Sequence, residues 1–317
     1  GQFGDHPAVF GFHAGDEPNT AAFEDACRAL RIQKEAAPHL SPFLNLLPWH
    51  EGCRTRIGYQ SWANYLDAYA ERGAPDLLCY DCYSQMNPGT EGWDMYFRNL
   101  REFQEASARN GIPWWTTLLS VGHFRYRCPT EDDLRWQLNT ALAHGARGIL
   151  YFFFYMREPH DNYRVAPVDE HYERSETFEW ISRVNRTFLR WTAPVVQELE
   201  LVRACHVGQA WGGVDEFDGS GLVSRALSHH DTPLIVSEFR RGEQPYVMVV
   251  NNSQWECSQA EFTVRGRQPK LYRVGWDAQE GPFDRRGENG EDFATAQVWL
   301  APGQMELFRV ENGATSA

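Results

Sequence analysis

From Ala8 to Trp191 the chain repeats one pattern, a short apolar run followed by a longer amphipathic stretch. The strand-like runs are Ala8 to Gly15, Leu40 to Leu47, Asp76 to Tyr83, Trp114 to Val121 and Gly148 to Tyr155. The intervening stretches carry helix signals. Asn19 or Thr20 can cap a helix reaching about Ala37, and one from about Tyr59 to Arg72 meets its stop at Gly73. Another, from about Trp93 to Asn110, stops at Gly111. Thr130 with Asp133 three residues on is a capping-box pattern for a helix ending at Gly145, and Glu173 to Trp191 stops before Pro194. Five β-then-α units in a row predict an α/β domain with a parallel sheet and covering helices. The runs are apolar at most positions, as strands buried on both faces are.

Past Pro194 the helical period fades. Tyr246 to Val250, Ala260 to Val264, Leu271 to Val274, Ala296 to Leu300 and Gln304 to Val310 are short runs separated by turn residues. Phe262 with Val264, and Phe308 with Val310, alternate as half-buried strands do. This half predicts an antiparallel β-sandwich. The expected division is 1–197 for the (β/α) domain, 198–312 for the sandwich and 313–317 for a flexible tail.

Composition excludes several classes of function. A net charge of -13, from 30 basic and 43 acidic side chains, repels phosphate, so nucleic acid and anionic membrane surfaces are not expected partners. No apolar run approaches the ~18 residues of a membrane span. Lys34 and Lys270 are the only lysines, which leaves lysine-based chemistry almost without candidates. The seven cysteines show no zinc spacing or disulfide framework. Cys79 and Cys82 form a C-x-x-C inside a strand-like run, where positions three apart face opposite ways. No cofactor is called for. Gly1 opens the chain without a Met or a signal-peptide pattern; the compartment stays open, with an extracytoplasmic one favoured.

In a βα protein the chemistry gathers at the carboxyl ends of the strands. The first run ends His13-Ala14-Gly15-Asp16-Glu17-Pro18, with two adjacent carboxylates between a Gly and a Pro. Burial beside Asp16 would raise the pKa of Glu17 and make it a general acid. The second run contains Asn45 and ends in Trp49 and His50. The third carries Asp81 and Tyr83. A carboxylate interrupting an apolar strand is costly unless it pairs with an arginine or does chemical work. His123 follows the fourth run, and Tyr151 lies in the fifth, ahead of Arg157, Glu158, His160 and Asp161. A metal site built from His160, Asp161, Asp169 and His171 lacks ligand-like spacing, so no metal is expected.

The segments Ala8 to Pro18, Pro75 to Tyr83 and Leu142 to Phe152 resemble the TIM-barrel glycoside hydrolases, in particular the β-galactosidase-like enzymes of the retaining clan A. The stretch Leu300 to Phe308 resembles the end of the sandwich that follows the barrel in many glycosidases. The resemblance implies that Glu17 stands where that clan places its acid/base at the end of the fourth strand, with Asp16 in place of the usual Asn. It also implies a carbohydrate substrate, an oligo- or polysaccharide. Two departures follow. The clan's nucleophile is a Glu ending the seventh strand, and Trp114 to His123 has no carboxylate. Asp81 is the neighbouring candidate for nucleophile or base. In addition, five βα units do not close an eight-stranded barrel. The chain is then a fragment, is completed by another chain or subunit, or keeps an open sheet with a partner surface at its edge.

The expected function is therefore glycoside hydrolysis, with Glu17 as acid and Asp81 as base or nucleophile. His13, Asp16, Asn45, His50, Tyr83 and His123 would hold hydroxyls, and Trp49 and Tyr151 would stack on the sugar ring. The alternative is a sugar-binding or assembly protein on the same fold without catalysis.

Overall fold

The computed structural model describes residues 4, 6–156, 162–283 and 290–313 of the chain. Arg157, Glu158, His160 and Asp161 lie outside the described residues, as does the end of the expected tail from 314 onward. The chain divides into two compact units. One is Gly1–Leu118 with Ala146–Tyr151, and the other is Leu119–Gly145 with Phe152–Ala317.

The first unit contains β1 (His13–Asp16), α1 (Phe23–Ala36), β2 (Phe43–Leu46), α2 (Cys53–Ile57), α3 (Trp62–Gly73), β3 (Leu78–Asp81), α4 (Trp93–Asn110), β4 (Trp114–Leu119) and β5 (Gly148–Phe152). The five strands lie side by side in chain order, with β1 and β5 at the two edges. Successive βα units laid down in order are the barrel-type arrangement expected. Helix ends follow local chemistry. The Ser61 side chain accepts the Asn64 N–H at the start of α3, and Gly111 takes a left-handed φ of 66° after α4. The short helix α2 breaks the simple alternation and had no amphipathic period to announce it.

Strand alternation gives the sheet two unlike faces. Leu44, Leu46, Leu78, Tyr80, Trp114 and Leu118 are buried. Tyr80 stacks on Phe103 of α4 with centroids 3.9 Å apart, which places this set on the helix side. Phe43, Leu77 and Cys79 form a small cluster on the other face, joined by half-buried Trp115 and Leu150. Toward the carboxyl ends of the strands this face turns polar, with Asn45, Asp81 and Thr117 only partly buried. The expectation of strands buried on both faces is corrected here: the helix side is sealed, while the other side keeps partial exposure. An open five-stranded arc cannot bring opposing strands together to fill its interior as a closed barrel does.

The second unit begins with α5 (Glu131–Ala143), followed by α6 (Glu176–Thr187), one π turn over Phe188–Thr192 and α7 (Ala193–Val196). The expected stop before Pro194 is corrected: the chain stays helical past it. Pro194 falls in the first turn of α7, where its missing N–H is not needed. The β-strands are β6 (Glu200–Val207), β7 (Val223–Ser228), β8 (Leu234–Arg241), β9 (Gln244–Asn251), β10 (Ser258–Arg265), β11 (Lys270–Val274), β12 (Glu280–Pro282), β13 (Phe293–Leu300) and β14 (Met305–Glu311). They form a three-stranded sheet, β13-β10-β7, and a six-stranded one, β12-β11-β14-β9-β8-β6. Val236, Val247, Val249, Phe262, Val264 and Phe308 belong to their common core. The capping box expected at Thr130 and Asp133 forms, and Arg127 adds a two-pronged ion pair to the buried Asp133. Trp136 Nε1 donates to Asn252 Oδ1 at 3.0 Å and Asn139 Nδ2 to the Gly303 carbonyl at 2.8 Å, so α5 is tied to the sandwich.

Gly148 opens β5 against the face of Trp115. A Cβ there would lie 2.3 Å from the indole. Gly148→Ala is expected to destabilise the protein by about 1–3 kcal/mol, the range for overpacking. Denaturant unfolding of the variant beside the parent measures it.

Candidate active site

The polar end of the open sheet face collects carboxylates from the first and third βα units, which flank β2. The parallel register pairs Asp16 with Asn45, Asn45 with Cys79 and Asp81 with Thr117, so these side chains share one face. Asn45 Nδ2 donates to Asp16 Oδ1 at 2.9 Å and to Asp81 Oδ1 at 2.5 Å. One amide nitrogen thus holds two carboxylates together. The Tyr83 hydroxyl donates to Asp81 as well. Burial raises the Asp81 pKa to about 6, with the charges of Glu17 and Asp16 adding to the rise and the Asn45 and Tyr83 hydrogen bonds opposing it.

Glu17 directly follows β1 and has a φ of 39°, a left-handed conformation that residues with a Cβ seldom adopt. Its N–H donates to the Asn45 carbonyl at 2.8 Å, which fixes the turn to β2. Burial raises the Glu17 pKa, the Arg56 charge lowers it, and Asp16 raises it. Arg56 Nη2 lies 3.4 Å from Glu17 Oε2. Arg56 belongs to α2, and its own carbonyl accepts both the Thr20 N–H at 2.8 Å and the Thr20 hydroxyl at 2.7 Å. The loop after β1 is thereby bound to α2. Gly58 ends α2 with a φ of 72°, and a Cβ there would meet the Thr20 side chain at 2.8 Å. Sequence reasoning passed over Arg56; the cluster Arg54-Thr55-Arg56 after His50 was the available signal.

The other expected site residues separate into groups. His13 is exposed and stacks on Phe43 with centroids 5.5 Å apart, which places it on the open face. His50 is held below the usual histidine range by burial and then by the Arg56 charge, so it stands near the Glu17–Arg56 pair as a neutral imidazole. The Arg98 guanidinium lies 3.5 Å from the centre of the Trp49 ring and occupies one of its faces. Tyr151 alternates with Leu150, so it projects from the opposite side of the sheet and is not brought to Asp81. His123 belongs to the second unit, buried among Phe124, Tyr126, Phe152 and Tyr163. Asp169 Oδ1 accepts the backbone N–H groups of His171 and Glu173, the work of a turn residue. Among the described residues no group of three or more His, Cys, Asp or Glu side chains could hold a metal ion. No helix among the described residues is long and apolar enough to cross a membrane.

No protein-family model matches this sequence, and no curated protein matches it. Solved structures do. The rhamnosidase from Novosphingobium sp. PP1Y is similar over 92% of this chain and 39% of its own, at 9% identity and a TM-score of 0.52. The β-galactosidase from the Antarctic haloarchaeon Halorubrum lacusprofundi is similar over 54% of this chain and 26% of its own, at 16% identity and a TM-score of 0.42. A family 39 glycoside hydrolase from Bacteroides cellulosilyticus WH2 covers 93% of this chain and 57% of its own, at 13% identity and a TM-score of 0.41. This chain therefore spans between 26% and 57% of the length of these enzymes. The likeness to the rhamnosidase shows a shared fold, βα units of barrel type followed by antiparallel β-structure. This arrangement agrees with the fold that the sequence resemblance implies.

A carboxyl group that titrates near 6 in the fold and near 3.9 when unfolded binds its proton more tightly in the fold. Its contribution to stability is present below pH 4 and is lost as pH rises through about 6, by up to about 3 kcal/mol. Asp81→Asn keeps an acceptor for Asn45 and Tyr83 and removes the titration. The variant is expected to gain on the parent across pH 4 to 7, measured by denaturant unfolding at a series of pH values.

Proposed function

We propose that this chain carries the acid/base apparatus of a glycoside hydrolase acting on an oligo- or polysaccharide. The observation that carries the reading is the carboxylate group at the ends of β1 and β3, drawn together by the Asn45 amide with Glu17 beside it. Glu17 is the general acid: its burial favours the protonated form, which can deliver a proton to the leaving glycosidic oxygen. Asp81 is the base or nucleophile, and it is ionised above about pH 6. Asp16 and Asn45 bind sugar hydroxyls, with His13 and His50 at the rim. Arg56 sets the proton affinity of Glu17. Three further βα units, supplied by additional polypeptide at the open edges, complete the barrel.

The second reading is a protein that binds carbohydrate without cleaving it. The observation in its favour is β4, which sets Thr117 rather than a carboxylate opposite Asp81 on the open face.

Hydrolysis of a panel of nitrophenyl glycosides decides between the two. With the hydrolase reading, Glu17→Gln and Asp81→Asn each lower the rate by at least ~10²-fold. Retention of the parent rate by both variants overturns the assignment. Sugar binding with no cleavage by the parent supports the second reading. Removing the Arg56 charge leaves burial and Asp16 to raise the Glu17 pKa unopposed. In Arg56→Gln the alkaline limb of the rate profile, where the acid loses its proton, therefore moves to higher pH. Rates measured across pH 5 to 9 show the displacement.

A further inference from the structure

A second set of side chains, wholly within the other unit, has the makings of a ligand site. Arg183, Arg186 and Arg190 follow one another at spacings of three and four along α6 and the π turn, and so rise from one side of the helix. With Thr187, Trp191 and Trp276 they line an open cavity of about 500 Å³, within the usual ~300–1,000 Å³ of small-molecule sites. Trp191 is fixed by its Nε1–H, which donates to the Val274 carbonyl at 2.7 Å. Trp276 leans toward it with ring centroids 6.1 Å apart and planes at 32°, yet stays 83% exposed.

The charges there are unequally satisfied. Arg183 is committed to Glu131 by two hydrogen bonds, at 3.0 and 2.6 Å. Arg186 donates to the Ser182 carbonyl, and among the described residues it has no ion-pair partner. Among the described residues Arg190 has no hydrogen-bond or ion-pair partner. In a chain with 43 acidic side chains against 30 basic ones, two adjoining guanidiniums with no carboxylate bonded to them among the described residues are a local reversal of sign. A guanidinium offers a planar fork to a carboxylate or a sulfate, and an indole offers a flat apolar face to the C–H side of a pyranose.

We propose that this cleft binds an acidic glycosyl residue, with its ring against Trp276 and its carboxylate or sulfate group between Arg186 and Arg190. The proposal stands on the second unit alone and does not depend on catalysis at Glu17. Calorimetric titration of the whole chain tests it, with an oligogalacturonate, a sulfated galacto-oligosaccharide, neutral cellohexaose and poly-L-glutamate as probes. An acidic oligosaccharide is expected to bind at least tenfold more tightly than cellohexaose and poly-L-glutamate. Whichever acidic probe binds more tightly identifies the acid group. Trp276→Ala and Arg190→Ala should each weaken that binding about tenfold or more, as the loss of a stacking platform or of a charged hydrogen bond does. Both side chains are at the surface, and thermal unfolding at the parent temperature verifies that the variants fold. Glu17→Gln should bind the acidic probe as the parent does, whatever its effect on hydrolysis. The proposal is overturned if no acidic oligosaccharide binds, if poly-L-glutamate binds equally well, or if both variants retain parent affinity.

Discussion

Two hydrogen bonds from one amide nitrogen determine what the open face of the sheet can do. Asp16 and Asp81 come from β1 and β3, and Asn45 of β2 stands between them. Two carboxylates with nothing between them would repel, and one would take up a proton or turn to solvent. The Asn45 nitrogen has two hydrogens, one for each side. A threonine or serine has a single hydroxyl hydrogen, and an aspartate would add a third negative charge. The amide therefore allows a close acidic pair without neutralising it, and Asp81 stays ionisable near pH 6.

The same few residues join the loops that carry the site. The Glu17 N–H is bound to the Asn45 carbonyl, so the side chain that places Asp16 and Asp81 and the backbone that places Glu17 belong to one residue. The left-handed φ of Glu17 is held between that bond and the Thr20–Arg56 contact a turn later. Strain of this kind persists only where surrounding contacts outweigh its cost of order 1–3 kcal/mol. Arg56 is the balancing charge. Were it absent, burial and Asp16 would raise the Glu17 pKa unopposed; with it, the rise is smaller.

What could be read in the sequence follows from how local its causes are. Four of the five strands of the first unit lie within their apolar runs and β1 passes the end of its run by one residue, because each run is short and bounded by Gly, Pro or a cap. The strands at Gln244–Asn251 and Ser258–Arg265 were legible in the same way. By contrast β6 and β7 have no sustained apolar period, and all but the last two residues of β8 are buried, so their pattern came from pairing partners rather than from alternation. The placing of Asp16, Glu17, Asn45 and Asp81 at the carboxyl ends of neighbouring strands was legible, because polar residues interrupt the apolar runs there. Arg56 was not, since its role depends on a five-residue helix seated against Thr20. Tyr151 shows the converse limit: an aromatic residue in the right strand still falls on the wrong face if its parity with Leu150 is odd.

The partial exposure of the open face bears directly on the chemistry proposed for it. The cause of the raised Asp81 pKa is loss of water, and Asp81 at the end of β3 is still only partly buried. Anything that covers the face, whether a sugar ring or further βα units, removes more water and drives the pKa higher, as long as it brings no compensating cation. Asn45 and Tyr83 set the opposing limit, because their hydrogen bonds favour the charged form and strengthen as the surroundings lose polarity. Asp81 therefore responds to occupancy: a bare face leaves it ionised at neutral pH, and a covered one raises its titration further.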